Sequence, residues 1–109
     1  MIVNAGGPWV GDILHDKVHS TSADQVRLVR GSHIVVRRLF DHDKCYFFQG
    51  SDGRIMFAIP YETDFTLIGT TDCEHDDPAI RPVCTDTERD YMLEFVNGYL
   101  KTPIGVDDI

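Results

Sequence analysis

The residues able to do chemistry fall at a few places in the chain. Near its start, Met1-Ile2-Val3-Asn4-Ala5-Gly6-Gly7-Pro8-Trp9-Val10 runs from apolar side chains straight into a Gly-Gly-Pro turn. This is the pattern of a buried strand end followed by a turn whose glycines let backbone come close to something. In many nucleotide-binding folds that something is a ligand phosphate or ring; otherwise the turn simply precedes a helix. His33 follows in Gly31-Ser32-His33-Ile34-Val35-Val36, and by itself a lone histidine in a strand reads as a hydrogen-bonded core residue. Glu74, Asp76 and Asp77 flank His75, a set that invites a metal ion but equally describes an exposed acidic loop. The loop is the reading taken, and no metal site is expected. Arg27, Arg30, Arg37, Arg38 and Lys44 cluster along the sequence, where they could hold an anion or solvate a sheet edge. Cys45, Cys73 and Cys84 are odd in number and lack CxxC spacing, which speaks against a disulfide framework or a zinc site and fits a reducing cytoplasm.

The elements that would position these groups are short. Ile34-Val35-Val36, Cys45-Tyr46-Phe47-Phe48, Arg54-Ile55-Met56-Phe57-Ala58-Ile59 and Phe65-Thr66-Leu67-Ile68 are β-branched and aromatic runs bounded by Gly, Asp and Pro, so they read as strands. Gly50-Ser51-Asp52-Gly53 tolerates positive φ and predicts a hairpin between the second and third runs. The link at residues 60–64 is also too short for a parallel crossover. The fold class expected is α+β: an antiparallel β-meander of about four strands with one C-terminal amphipathic helix packed on it. That helix is predicted over 86–101. Thr85-Asp86-Thr87-Glu88 forms a capping box, and Tyr91, Met92, Phe95, Val96, Tyr99 and Leu100 make one apolar stripe, with Glu88, Arg89, Glu94 and Asn97 facing elsewhere. Residues 11–16 could start a short helix, and residues 17–25 read as a polar loop.

Composition bounds the answer further. A chain of 109 residues holds at most one modest core. The net charge of −8 argues against nucleic acid as a partner. No apolar run approaches a membrane span and no charged-then-apolar leader opens the chain, so a cytoplasmic location is expected.

Four stretches carry a family resemblance: Asn4-Ala5-Gly6-Gly7-Pro8-Trp9-Val10; Val26-Arg27-Leu28-Val29-Arg30-Gly31-Ser32-His33-Ile34-Val35-Val36; Phe57-Ala58-Ile59-Pro60; and Phe65-Thr66-Leu67-Ile68-Gly69-Thr70-Thr71-Asp72. In order and spacing the chain resembles the FAD-dependent glycerol-3-phosphate dehydrogenases over nearly its whole length. The resemblance implies oxidation of sn-glycerol 3-phosphate to dihydroxyacetone phosphate, hydride passing to FAD and electrons going on to membrane quinone, or to oxygen in the oxidase branch. It also implies peripheral attachment to the inner membrane, which no basic amphipathic segment here supports.

By the same resemblance, residues 1–25 are the remnant of an FAD-binding domain (strand, Gly-Gly-Pro turn, loop) and residues 26–109 belong to a substrate cap domain. Asn4, Ala5, Gly6 and Gly7 match the Asn-Ala-Ala-Gly turn that lies against the flavin, with Gly6 in place of the second Ala. His33 matches the active-site histidine of the Gly-Ser-His motif. There it would take the C2 hydroxyl proton, or bind phosphate when protonated. Ser32, Thr70 and Thr71 would line the substrate pocket, or the threonines would satisfy the strand's end. Arg37 stands where a proline commonly follows the apolar triplet. The family's Gly-x-Gly-x-x-Gly turn for the FAD pyrophosphate is not in this sequence, and its phosphate-clamping arginines and lysine would follow Ile109. The expectation is therefore a fragment, inert alone, that exposes Ile2, Val3, Trp9 and Val10 and self-associates. The competing expectation is a free-standing, non-catalytic α+β binding module derived from the cap.

Overall fold

The structure, a computed structural model, describes Met1, residues 3–19 and residues 26–109. In chain order the described elements are α1 (Val10–Asp12), β1 (Val29–Arg30), β2 (His33–Arg37), β3 (Tyr46–Gln49), β4 (Ile55–Tyr61), β5 (Phe65–Gly69), β6 (Cys73–Glu74) and α2 (Asp86–Asn97). By contact the chain divides into two units, Met1–Arg30 with Cys73–Pro82 and Gly31–Asp72 with Val83–Ile109.

In the first unit the Gly-Gly-Pro stretch winds into a helical segment: a 3-10 turn at Gly7–Trp9, then α1, then a wider π turn over Ile13–Lys17. Pro8 suits that start, because the first amides of a helix have no intrahelical partner to lose. The strand expected ahead of it is not found among the described residues, and Met1 and Val3 are exposed. Apolar residues make a strand only where a neighbouring edge takes up their backbone bonds. The polar loop expected over 17–25 lies for the most part outside the described residues. A second departure is β6, within the stretch read as an acidic connection. It pairs antiparallel with β1, placing Val29 opposite Glu74 and Arg30 opposite Cys73.

The second unit is an antiparallel sheet in the order β2-β5-β4-β3. The hairpin between β3 and β4 forms as its glycines predict, with Gly53 at φ +81° and the Gly50 amide donating to the Arg54 carbonyl at 2.8 Å. β4 and β5 follow as neighbours, but β2 lies beside β5 and not beside β3. The meander thus holds for three strands, and the first adds to its far edge. The long polar link at 38–45 leaves β2 free to pair with either end, so short links alone could not fix its place. β4 also runs through Pro60 to Tyr61. β3 ends at Tyr46 opposite Ala58, so that side of β4 is already an edge at Pro60, where a proline is tolerated.

The two-residue period of the strands sorts the sheet into two faces. Ile34, Val36, Met56, Ala58 and Ile68 turn inward and pack with Met92, Leu93 and Val96 of α2 into the core. α2 is capped as predicted: Thr85 Oγ1 accepts from the Glu88 amide at 3.3 Å, and the Thr85 amide donates to Glu88 Oε2 at 2.9 Å. It ends four residues short of the predicted 101. The Asn97 side chain brackets Ile104, donating to its carbonyl and accepting from its amide, each at 2.9 Å. Tyr99 and Leu100 follow outside the helix yet still pack as the stripe predicts, Leu100 against the core and Tyr99 stacked on Phe48 with ring centroids 4.5 Å apart. No helix among the described residues is long and apolar enough to cross a membrane.

Candidate functional site

The features raised by the sequence lie in both units, and each unit's geometry stands by itself. In the first, Asn4 stitches the glycine turn. Its Oδ1 accepts from the Gly6 amide at 3.1 Å and its Nδ2 donates to the Val10 carbonyl at 3.2 Å, the local side-chain-to-backbone bonding that makes asparagine a turn residue. Gly7 sits at φ +56°, and nothing lies within 4 Å of where its Cβ would be. Ala5 is exposed beside it. Gly6 differs: a Cβ there would fall on Cδ1 of Ile13. The room that a second alanine's methyl would occupy is thus filled by an isoleucine from the helical segment.

In the second unit His33 opens β2 on the face that α2 does not cover. It is exposed, so it is not the core histidine that a lone strand residue suggests. Its ring lies over Gly69 of the neighbouring strand, close enough that a Cβ at 69 would land on the imidazole. Gly69 pairs with His33 on one side and Phe57 on the other, and Phe57 pairs in turn with Phe47. His33, Gly69, Phe57 and Phe47 therefore form one row across the sheet, its two phenylalanine rings edge to face at 5.4 Å. The next row on this face is Val35, Leu67 and Ile59. The surroundings of the imidazole are apolar and open, with Phe47 58% exposed.

The loops that hold this row are tied by hydroxyls. The Ser32 amide donates to Thr71 Oγ1 at 2.8 Å, and the Thr71 amide donates back to the Ser32 carbonyl at 3.2 Å. Ser32 Oγ and Thr71 Oγ1 each donate to Glu88 Oε1 at 2.9 Å. Ser32 and Thr71 are buried, so two of the three expected pocket residues point into the protein. Thr70 is exposed and donates to the Thr71 carbonyl at 2.9 Å. The residue that sequence reading misplaced is Glu88. It was expected on the outer face of the helix, yet it is only 5% exposed. The capping box located it, and its place four residues before Met92 and eight before Val96 puts it on the buried face of the helix; its charge concealed its burial.

The remaining candidates separate. Arg27 pairs with Glu74 at 2.9 Å in the first unit, and in the second Arg38 bonds the Phe40 and Thr63 carbonyls. His75 bonds the Ile80 carbonyl at 2.9 Å, and Asp77 accepts from the Ala79 amide at 2.8 Å. Among the described residues no group of three or more His, Cys, Asp or Glu side chains could hold a metal. Tyr91 beside Arg54 and Asp90 beside Arg89 push those guanidiniums up, which leaves two permanent cations unchanged. A cleft of about 550 Å³ between the β3–β4 turn and Tyr91, Phe95 and Tyr99 contains none of the predicted site residues.

These features define an α+β protein with a glycine turn stitched by Asn4 in one unit and a strand histidine on an open apolar sheet face in the other. Comparison with known proteins takes the class further. The model of the family described as FAD dependent oxidoreductase matches residues 1–109, and the chain belongs to that family. It is 40% identical over 108 residues to glycerol-3-phosphate dehydrogenase of Pseudomonas aeruginosa, covering 99% of this chain and 21% of that protein. It is 42% identical over 108 residues to D-erythritol 1-phosphate dehydrogenase of Brucella abortus, covering 99% of this chain and 22% of that protein. The crystal structure of glycerol-3-phosphate dehydrogenase from Bacillus halodurans, complexed with FAD, superposes with a TM-score of 0.77 at 35% identity, over 94% of this chain and 21% of that one. The chain thus spans about a fifth of the length of the relatives it matches.

Proposed function

We propose that these residues contribute part of the flavin and substrate site of an FAD-dependent glycerol-3-phosphate dehydrogenase, an enzyme that oxidises sn-glycerol 3-phosphate to dihydroxyacetone phosphate and passes electrons to quinone. The observation that carries the reading is His33, held over Gly69 on the sheet face that α2 leaves open. Full-length relatives bearing this name, of which the chain spans about a fifth, support it. On this reading residues 1–25 come from the FAD-binding side and residues 26–109 from the substrate cap, and the segment alone is inert.

The turn at residues 4–7 fits a flavin. Gly7 presents bare backbone with no atom over it, and Asn4 fixes the turn from within. When bound, FAD supplies the hydride acceptor. His33 takes the proton of the C2 hydroxyl as hydride leaves the same carbon, which accounts for both hydrogens lost in making the ketone. A phosphate clamp is a poorer role for it, because clamping calls for several converging donors. The next cation on that face of the strand is Arg37, four residues on and roughly 13 Å away. Thr70, exposed at the end of β5, is the remaining candidate for substrate contact.

A second reading keeps the chemistry and changes the substrate: the D-erythritol 1-phosphate relative is as similar as the glycerol 3-phosphate ones. Joining these residues to the FAD-binding remainder of a relative and assaying both polyol phosphates anaerobically separates the two. Reduction of bound flavin by glycerol 3-phosphate is expected, faster than by erythritol 1-phosphate. A purified 109-residue chain that retained stoichiometric FAD, or a joined protein reduced by neither compound, would contradict the proposal.

A further inference from the structure

We infer that Glu88 is a positioning residue for His33. The inference rests on the proton-accepting role proposed for that histidine. Glu88 lies on α2, across the core from the open face, yet its carboxylate ends on the loops that carry the histidine. Oε1 accepts from Ser32 Oγ, whose residue immediately precedes His33, and from Thr71 Oγ1, two residues beyond Gly69, each at 2.9 Å. Oε2 accepts from the Thr85 amide and Thr85 Oγ1, also at 2.9 Å. Four donors converge on the two oxygens, which matches the acceptor capacity of an ionised carboxylate.

The consequence is mechanical. The His33 ring rests on Gly69, so its placement depends on where β2 begins relative to the end of β5. The β2–β5 ladder sets that register and Ser32 and Thr71 tie its end, bonded to each other at 2.8 and 3.2 Å and both to Glu88. Gly31 reinforces it, since a Cβ there would fall on Thr70 Oγ1. One side chain therefore serves as helix cap with one oxygen and as strand-end clamp with the other. Its two duties can be separated by substitution.

Glutamine also completes a capping box. Glu88→Gln can keep its carbonyl oxygen on the Thr85 amide while its NH₂ group replaces the acceptor that Ser32 and Thr71 require. Ser32→Ala removes one arm of the clamp and leaves the cap intact. Thr85→Ala does the reverse. The test measures kcat, KM, flavin content and Tm for these three variants and for His33→Asn, all in the FAD-loaded enzyme that contains this segment. The expected result is a kcat about tenfold or more below wild type for Glu88→Gln and Ser32→Ala, with flavin content kept, since small displacements of a reacting group are costly. Thr85→Ala is expected to lower Tm and leave kcat in place. If Glu88→Gln and Ser32→Ala lower Tm alone and keep kcat, the carboxylate is only a structural tie and the inference is overturned. Should Glu88→Gln fail to fold, Ser32→Ala decides by the same criterion. A His33→Asn enzyme with undiminished kcat would instead sink the underlying role of His33.

Discussion

The imidazole of His33 lies directly over Gly69, the residue paired with it across β2 and β5. The pairing explains why a glycine ends β5: any side chain there would contend with the ring for the same space. Gly69→Ala is expected to push the imidazole off its row and to lower kcat of the FAD-loaded enzyme by about ten- to a hundredfold. Flavin content should not change. Steady-state kinetics beside the flavin spectrum check it, and an unaltered kcat would show that the ring's position there is immaterial.

Gly7 offers a different kind of test. At φ +56° with nothing within 4 Å of its Cβ position, alanine meets no neighbour and suffers only the backbone strain of left-handed geometry. That strain costs about 1–2 kcal/mol. The expected outcome for Gly7→Ala is a loss of that size in urea unfolding, together with weaker FAD retention. Equal retention would remove the turn from the flavin site.

Core deletion should report on the sheet–helix packing. Met92 is fully buried where α2 meets the sheet. Met92→Ala is expected to cost about 2–5 kcal/mol, read from the denaturation midpoint, whereas truncating exposed Glu94 should change stability little.

The open face predicts behaviour of the segment by itself. Val35, Phe47, Phe57, Ile59 and Phe65 are exposed on the face away from α2, more apolar surface than a monomer usually leaves to solvent. The isolated chain is expected to bind a hydrophobic dye and to sediment as a concentration-dependent oligomer. Phe47→Asp with Phe57→Asp should return it toward a monomer. A monomeric wild-type chain that binds no dye would show this face to be tolerated in water. At the chain start Val3 and Trp9 are exposed as expected and Val10 is half-buried, while Ile2 lies outside the described residues.

Local signals carried much of the fold. Gly50 and Gly53 announced the β3–β4 turn, and Thr85 with Glu88 announced the start of α2, because both depend on residues a few positions apart. What escaped were pairings decided at a distance. β2 joins β5 across the length of the sheet, and β1 joins β6 across more than forty residues; neither leaves a mark in the spacing of apolar residues. The site behaves likewise. His33 stood out by its motif, but its exposure follows from which face α2 covers. Glu88 looked like a surface residue because its partners, Ser32 and Thr71, come from loops distant in sequence.

The most direct test of the central claim is the anaerobic rate at which glycerol 3-phosphate bleaches the bound flavin in the complete enzyme, wild type against His33→Asn. The account predicts equal flavin content and a rate about a hundred- to ten-thousandfold lower in the variant. An equal rate in both would contradict it, and would move the proton acceptor away from His33.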